Sequence, residues 1–292
     1  MRLLFVNILI ILSFAASDLY SIGECDSIRH CYGWRDRALT LSQPSGKGAH
    51  YVDLDKTQSQ STITDELSIE MLVKAQKQPG KIQYLGGLWG PAEDVNDVWA
   101  IYINSNDELV FEINGPETNF GDEDNTRASF NFSGLYDSWQ HITCVFNGPS
   151  RSARIYLNGE FRDIGVNAQY PATRLRELQN NELQLQIGST NALSNDQTLH
   201  RTFLGQLDEI RIWNRALAED ELYCLKDKSL NGNEDGLVMY WRCNHEESVF
   251  DICDATNNGN TGRARSGAQC LESDWQHNRT IFVEPIGESL NG

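Results

Sequence analysis

Short runs in which apolar and polar residues alternate, each cut off by a turn signal, constrain this chain more than any other feature. In Glu108-Leu-Val-Phe-Glu-Ile113, Leu109, Phe111 and Ile113 fall on one side and Glu108 and Glu112 on the other, and Asn114-Gly115 follows. Ala153-Arg-Ile-Tyr-Leu157 alternates again and runs into Asn158-Gly159, the pair that favours a two-residue type I′ hairpin, before Glu160-Phe161. A period of two is that of a pleated strand with one face buried and one face wet. The same texture predicts strands over residues 69–74, 98–103, 139–146, 182–187, 207–213 and 238–241, separated by Gly-, Asn- and Asp-rich loops at 90–97, 115–127 and 189–196. Helix is expected only in short pieces, over 174–179 and 218–225. Many strands, little helix and no fixed repeat imply an all-β fold, an antiparallel two-sheet sandwich, and argue against propellers and solenoids.

Charge narrows the function classes. Against 24 Lys and Arg stand 41 Asp and Glu, a formal net charge of −17, and such a surface repels phosphate backbones, so nucleic acid is excluded as a partner. At the N-terminus, Arg2, the apolar run 3–12 broken only by Asn7, and Ala15-Ala16-Ser17 have the layout of a secretory signal peptide over 1–17. The run is too short to span a bilayer, so the mature chain is expected to be secreted, with no membrane insertion after cleavage.

All seven cysteines lie beyond that segment: Cys25, Cys31, Cys144, Cys224, Cys243, Cys253 and Cys270. Export makes disulfides the expectation. Cys144 shares a strand face with Ile142 and Phe146 and is expected to stay a buried, unpaired thiol. The remaining six can pair in several ways, of which the chain-local set Cys25–Cys31, Cys224–Cys243 and Cys253–Cys270 is favoured. No CxxC pair points to a metal.

The segments 38–54, 67–74, 139–141, 155–159, 185–189 and 208–217, in that order, together resemble laminin-G-like, concanavalin A-like jelly-roll domains, a group related to the pentraxins. Asp208-Glu-Ile-Arg-Ile-Trp-Asn-Arg-Ala-Leu217 resembles the family's closing strand and turn; Ala38-Leu39 to Tyr51-Val-Asp-Leu54 its opening; Leu67-Ser-Ile-Glu-Met-Leu-Val-Lys74 its Thr-Ile-Glu-aromatic strand. Trp139-Gln-His141 with Ile155-Tyr-Leu-Asn-Gly159, and Leu185-Gln-Ile-Gly-Ser189, follow in family order. The resemblance covers about residues 34–225 and implies a concanavalin A-like jelly roll. Departures are Leu72 in place of the family's aromatic, which implies a rearranged core patch, and Ala218 in place of the serine that starts the last helix, which deprives Glu221 of a capping partner. The expected organisation is a signal peptide (1–17), a cysteine-bearing segment (18–33), the jelly roll (34–225), a cysteine-rich segment packing back on it (226–280), and a tail or the start of a further module (281–292).

Hydrolysis of glycans, which this fold also hosts, needs two carboxylates facing each other across a groove, and no Glu-x-Asp-x-x-Glu strand is present. Neither Gly-x-Ser-x-Gly nor HExxH occurs. No catalytic residue is therefore expected. Calcium fits the chemistry of the rim loops better, because a hard cation gathers loop oxygens; Asp94, Asp97, Asp122, Asp124 and Asp208 are the candidate ligands, although Asp208 also reads as a partner for backbone. Trp89, Trp99, Phe120 and Tyr136, next to those loops, are the candidate platforms for stacking on sugar rings, with Trp89 foremost. The expected function is a secreted, non-catalytic, lectin-like recognition or adhesion module for an extracellular glycan or protein. A glycan-degrading enzyme or its accessory domain, and a structural spacer, are the alternatives.

Overall fold

The structure, a computed structural model, describes residues 37–42, 50–55, 57–89, 97–115, 126–167, 172–175, 184–189, 201–244 and 251–274. In chain order the strands begin β1 (Arg37–Leu41), β2 (Tyr51–Asp55), β3 (Glu66–Ala75), β4 (Gln83–Trp89), β5 (Asp97–Ile103), β6 (Glu108–Ile113) and β7 (Thr126–Asn131). They continue β8 (Gln140–Asn147), β9 (Ser152–Leu157), β10 (Glu160–Gly165), β11 (Gln184–Ile187) and β12 (Gly205–Trp213). A short helix, α1 (Glu219–Leu225), precedes β13 (Leu237–Trp241), β14 (Asp251–Ile252), β15 (Gly262–Arg265) and β16 (Gln269–Glu272). Among the described residues these form two antiparallel sheets. Sheet A runs β10-β9-β8-β3-β12-β1-β16, with β13 also on β12, and sheet B runs β14-β15-β2-β11-β4-β5-β6-β7. This is the concanavalin A-like jelly-roll sandwich that the alternation and the resemblance led us to expect.

The core lies between the sheets and is built from the period-two positions. Leu67, Ile69, Met71 and Val73 of β3 and Ile142, Cys144 and Phe146 of β8 face Trp99, Ile101 and Ile103 of β5 and Leu109, Phe111 and Ile113 of β6. Each large apolar side chain so buried contributes about 1.5–3 kcal/mol. Cys144 is a free thiol in this core, and burial pushes its pKa well up. Asn158 and Gly159 both take positive φ, 54° and 79°, the type I′ geometry that returns β10 along β9.

Two features of β12 shape the rest. Glu209 has a φ of +48° and inserts a bulge between Asp208 and Arg211. Asp208 and Ile210, two apart in sequence, therefore point to opposite faces: Ile210 and Ile212 enter the core, while Asp208 pairs with Leu72. The other edge of β12 is shared by two strands. β1 pairs Leu39 with Leu207 and Leu41 with Gly205, and β13 pairs Trp241 with Ile210 and Met239 with Ile212. The strands after residue 236 thus extend the existing sheets, β13 on β12, β15 on β2 and β16 on β1.

The outer face of sheet A is sealed by α1 and the chain that follows it. Tyr156, Trp213, Leu217, Leu222, Leu230, Tyr240 and Cys253 form a second apolar cluster there. Leu72 is buried on this side, outside the inter-sheet cluster, so the substituted family aromatic is not a gap between the sheets. Arg211 sits at the centre, donating to Glu209 Oε2 at 2.6 Å and to the carbonyl of Leu225 at 3.2 Å, with Glu70 Oε2 at 3.7 Å. It also donates to the carbonyl of Lys228, and Tyr240 donates to Glu209. Burial alone would raise the pKa of Glu70; Arg211, His141 at 3.3 Å and the Trp213 indole N–H at 2.8 Å outweigh it and hold the carboxyl below its ordinary range. At the start of α1, Ala218 supplies no capping oxygen, and Glu221 instead accepts the Ala218 N–H at 3.0 Å and both Arg215 nitrogens at 2.8 Å. Among the described residues no helix is long and apolar enough to cross a membrane.

Candidate functional site

The outer face of sheet B is built differently. Cross-strand register lines up Arg263, Asp53, Gln186, Gly87, Ala100, Glu112 and Arg127 in one row across β15, β2, β11, β4, β5, β6 and β7. The small residues Gly87 and Ala100 make its middle low. Trp89, two residues on, lies over Gly87 so closely that a Cβ added there would stand 2.4 Å from the indole. Glycine is required here by close approach, not by a turn. Tyr84 meets Trp89 edge to face at 5.3 Å between ring centres, and Tyr102 lies 4.9 Å from Tyr84.

Polar groups frame the aromatic trio. The Tyr102 hydroxyl donates to Glu112 Oε2 at 2.8 Å; burial and that carboxylate push the phenol's pKa well up. The Arg127 guanidinium stands 5.9 Å from the Tyr102 ring centre. Asp53 accepts from Arg265 Nε through both oxygens, at 3.0 and 2.9 Å. Two buried groups have no partner among these residues: the donor Trp89 Nε1 and the acceptor Gln186 Oε1. Gln186 pairs directly with Gly87, over which the indole lies, so both polar atoms belong to one patch. Leaving such atoms unsatisfied costs about 1–3 kcal/mol each.

The sequence-predicted residues are distributed unevenly. Trp89 is in this patch, but on a strand and 5% exposed, as its buried buttress and not as an exposed loop platform. Asp97 opens β5 directly across from Trp89. Trp99 is 2% exposed and belongs to the inter-sheet core, because the Trp89/Trp99 pair straddles the sheet. Tyr136 lies apart, with its hydroxyl on Asp107 at 2.7 Å, its ring edge on Phe132 and Lys77 Nζ 5.5 Å over its face. Asp208 is buried, and its Oδ1 accepts the Glu209 N–H at 2.8 Å, the backbone partnership that its sequence position also suggested. Phe120, Asp94, Asp122, Asp124, Cys25 and Cys31 lie outside the described residues. Among the described residues no cluster of three His, Cys, Asp or Glu could hold a metal. Cys224 is exposed on α1 and Cys253 sits in the outer cluster, whereas Cys243 and Cys270 are together in the inter-sheet core.

Tyr84, Tyr102 and Gln186 were not singled out in the sequence, although two of them carried a signal. Tyr102 alternates with Trp99, Ile101 and Ile103, and Gln186 with Leu185 and Ile187, so both were outward positions of predicted strands. Tyr84 had none, since Gly86-Gly87 reads as a turn and hides β4.

Among solved structures, a candidate carbohydrate-binding protein from Bacteroides ovatus superposes with a TM-score of 0.60 at 19% identity, over 82% of this chain and 61% of that one. The chain thus spans about three fifths of that protein's length. A heptameric SAP-like pentraxin from Limulus polyphemus superposes with a TM-score of 0.53 at 13% identity, over 82% of this chain and 96% of the other. At these identities the likeness concerns the fold. No curated protein matches the chain. Residues 46–222 match the Laminin_G_3 family, and the chain accordingly belongs to the concanavalin A-like lectin/glucanases superfamily.

Proposed function

We propose that this protein is a secreted, non-catalytic recognition module whose outer face of sheet B binds an extracellular glycan. The observation that carries the reading is the pairing of a cluster of aromatics, two of them partly open, with two buried, unanswered polar atoms of opposite kind. Sugar hydroxyls both donate and accept, which suits a patch holding one unanswered acceptor, Gln186 Oε1, and one unanswered donor, Trp89 Nε1, while the sugar ring lies against Tyr84 and Tyr102. The partly open tyrosines supply the contact surface, and Trp89 buttresses Tyr84 edge to face. Where two carboxylates do converge, Glu70 and Glu209 on Arg211, they are buried and ion-paired, and offer nothing to a substrate that would need acids roughly 5–9.5 Å apart in a groove.

A glycan array with the mature protein and its Tyr84→Ala variant tests the reading. Selective glycan binding that falls about tenfold in the variant, with the melting temperature kept, supports it; equal binding by both proteins, or none by either, ends it. A parallel arm with chelator tests calcium at the loops carrying Asp94, Asp97, Asp122 and Asp124, the proposed cation ligands.

A further inference from the structure

We infer that Cys243 and Cys270 form a disulfide that locks the seam where β13 and β1 meet on β12. Both strands run antiparallel to β12, so the end of β13 faces the start of β1 at the Asp208–Glu209 bulge. The chain escapes that collision at Cys243, whose φ of +53° is uncommon for a side-chain-bearing residue and turns it into the interior. Its neighbour Asn244 accepts the Arg37 N–H at 3.2 Å, which ties the end of this segment to the start of β1. Cys270 arrives from the opposite side, paired with Leu39 on β16, while Arg37 Nη1 donates to its carbonyl at 3.3 Å. Both sulfurs lie in the inter-sheet core, 1% and 8% exposed by residue, within hydrogen-bonding reach of one another. Neither chain-local alternative has this geometry, because Cys224 is on the exposed helix and Cys253 is in the outer cluster.

The chemistry also fixes the timing. Joining the two sulfurs releases two protons and two electrons; the electrons reduce the disulfide of a thiol-exchange oxidant, such as oxidised glutathione, to two thiols. Exchange needs a thiolate, and in the folded protein the hydrogen bond with Cys270 and burial hold the Cys243 thiol well above its ordinary range. The bond therefore forms while β16 is docking, and afterwards resists reduction until the sandwich opens. It requires the oxidising route expected from the N-terminal segment.

The full chain, exported with its own leader from a eukaryotic secretory host, is unfolded, alkylated without reduction and cut with trypsin and a glutamate-specific protease, which separate Cys243 from Cys253. The expected product is residues 243–246 linked to 266–272. Alkylated Cys243 and Cys270, or either one linked elsewhere, overturns the proposal. Cys243→Ala and Cys270→Ala should each lower the melting temperature by about 5–15 °C, and the double variant should fall no further. Strictly additive losses would contradict the bond. If the variants do not fold, the peptide map of the natural chain decides alone.

Discussion

The two outer faces of this sandwich are made from strands of the same pitch, yet they end in opposite states. On sheet A, α1 and residues 226–230 close over the strands, and Arg211 draws Glu70, Glu209 and two backbone carbonyls into one knot. On sheet B, Gly87 and Ala100 keep the middle low, tyrosines stay partly open, and two buried polar atoms have no partner. The first face is closed over paired charges and gains rigidity from them, although Thr143 Oγ1 and Arg211 Nε there also lack a hydrogen-bond partner among the described residues. The other leaves Tyr84 and Tyr102 partly open, which is what the proposed glycan binding would use.

The sharpest way to break the contrast is Arg211→Ala. Removing the cation strands two carboxylates in a dry site, with an expected loss of about 3–5 kcal/mol in chemical denaturation. Variant that still folds should bind glycan like the parent, because the knot is on the other sheet. Gly87→Val attacks the opposite face: the new Cβ would stand 2.4 Å from the Trp89 ring, so about 1–3 kcal/mol is lost, tryptophan fluorescence shifts and glycan binding disappears. Tyr102→Ala is milder, weakening binding by about 1 kcal/mol through the lost stacking surface while leaving the sheet A cluster intact.

Titration sharpens the comparison further. The folded pKa of Glu70 lies below its unfolded value, so its stabilisation is complete above the ordinary glutamate range near ~4.3 and is lost as pH falls through the lower folded value. Urea midpoints should hold steady from about pH 7 to 5 and drop below about pH 4, and Glu70→Gln should flatten that acid limb. Tyr102 and Tyr240 are shifted the other way, by burial first and then by Glu112 and Glu209. Their contribution is complete below about pH 10 and is lost as pH rises toward the folded values, so ultraviolet absorbance should show tyrosines that ionise only as the protein unfolds.

Legibility followed periodicity. Strands with clean alternation, such as β6 and β9, were readable to within a residue, and the type I′ hairpin at Asn158-Gly159 was readable outright. β4 was not, since Gly86-Gly87 carries the composition of a turn and only the Trp89 ring reveals why glycine stands there. The β12 bulge was equally hidden: a left-handed Glu209 leaves no mark in composition, and it reversed the face of Asp208. Trp99, a candidate platform chosen for its nearness to a loop, lies in the inter-sheet core for a related reason, because in a pleated strand neighbouring positions face opposite ways.

Because β12 borrows one edge from an early segment and a late one, and Arg37 finds its hydrogen-bond partner at Cys270, 233 residues away, sheet A is not finished until the ribosome has delivered nearly the whole described span. Until then β1 has an open flank on the side that β16 will cover. A nascent chain of this kind depends on its surroundings to shield that flank, and truncation anywhere before β16 would leave an adhesive remnant in place of a smaller, well-behaved module.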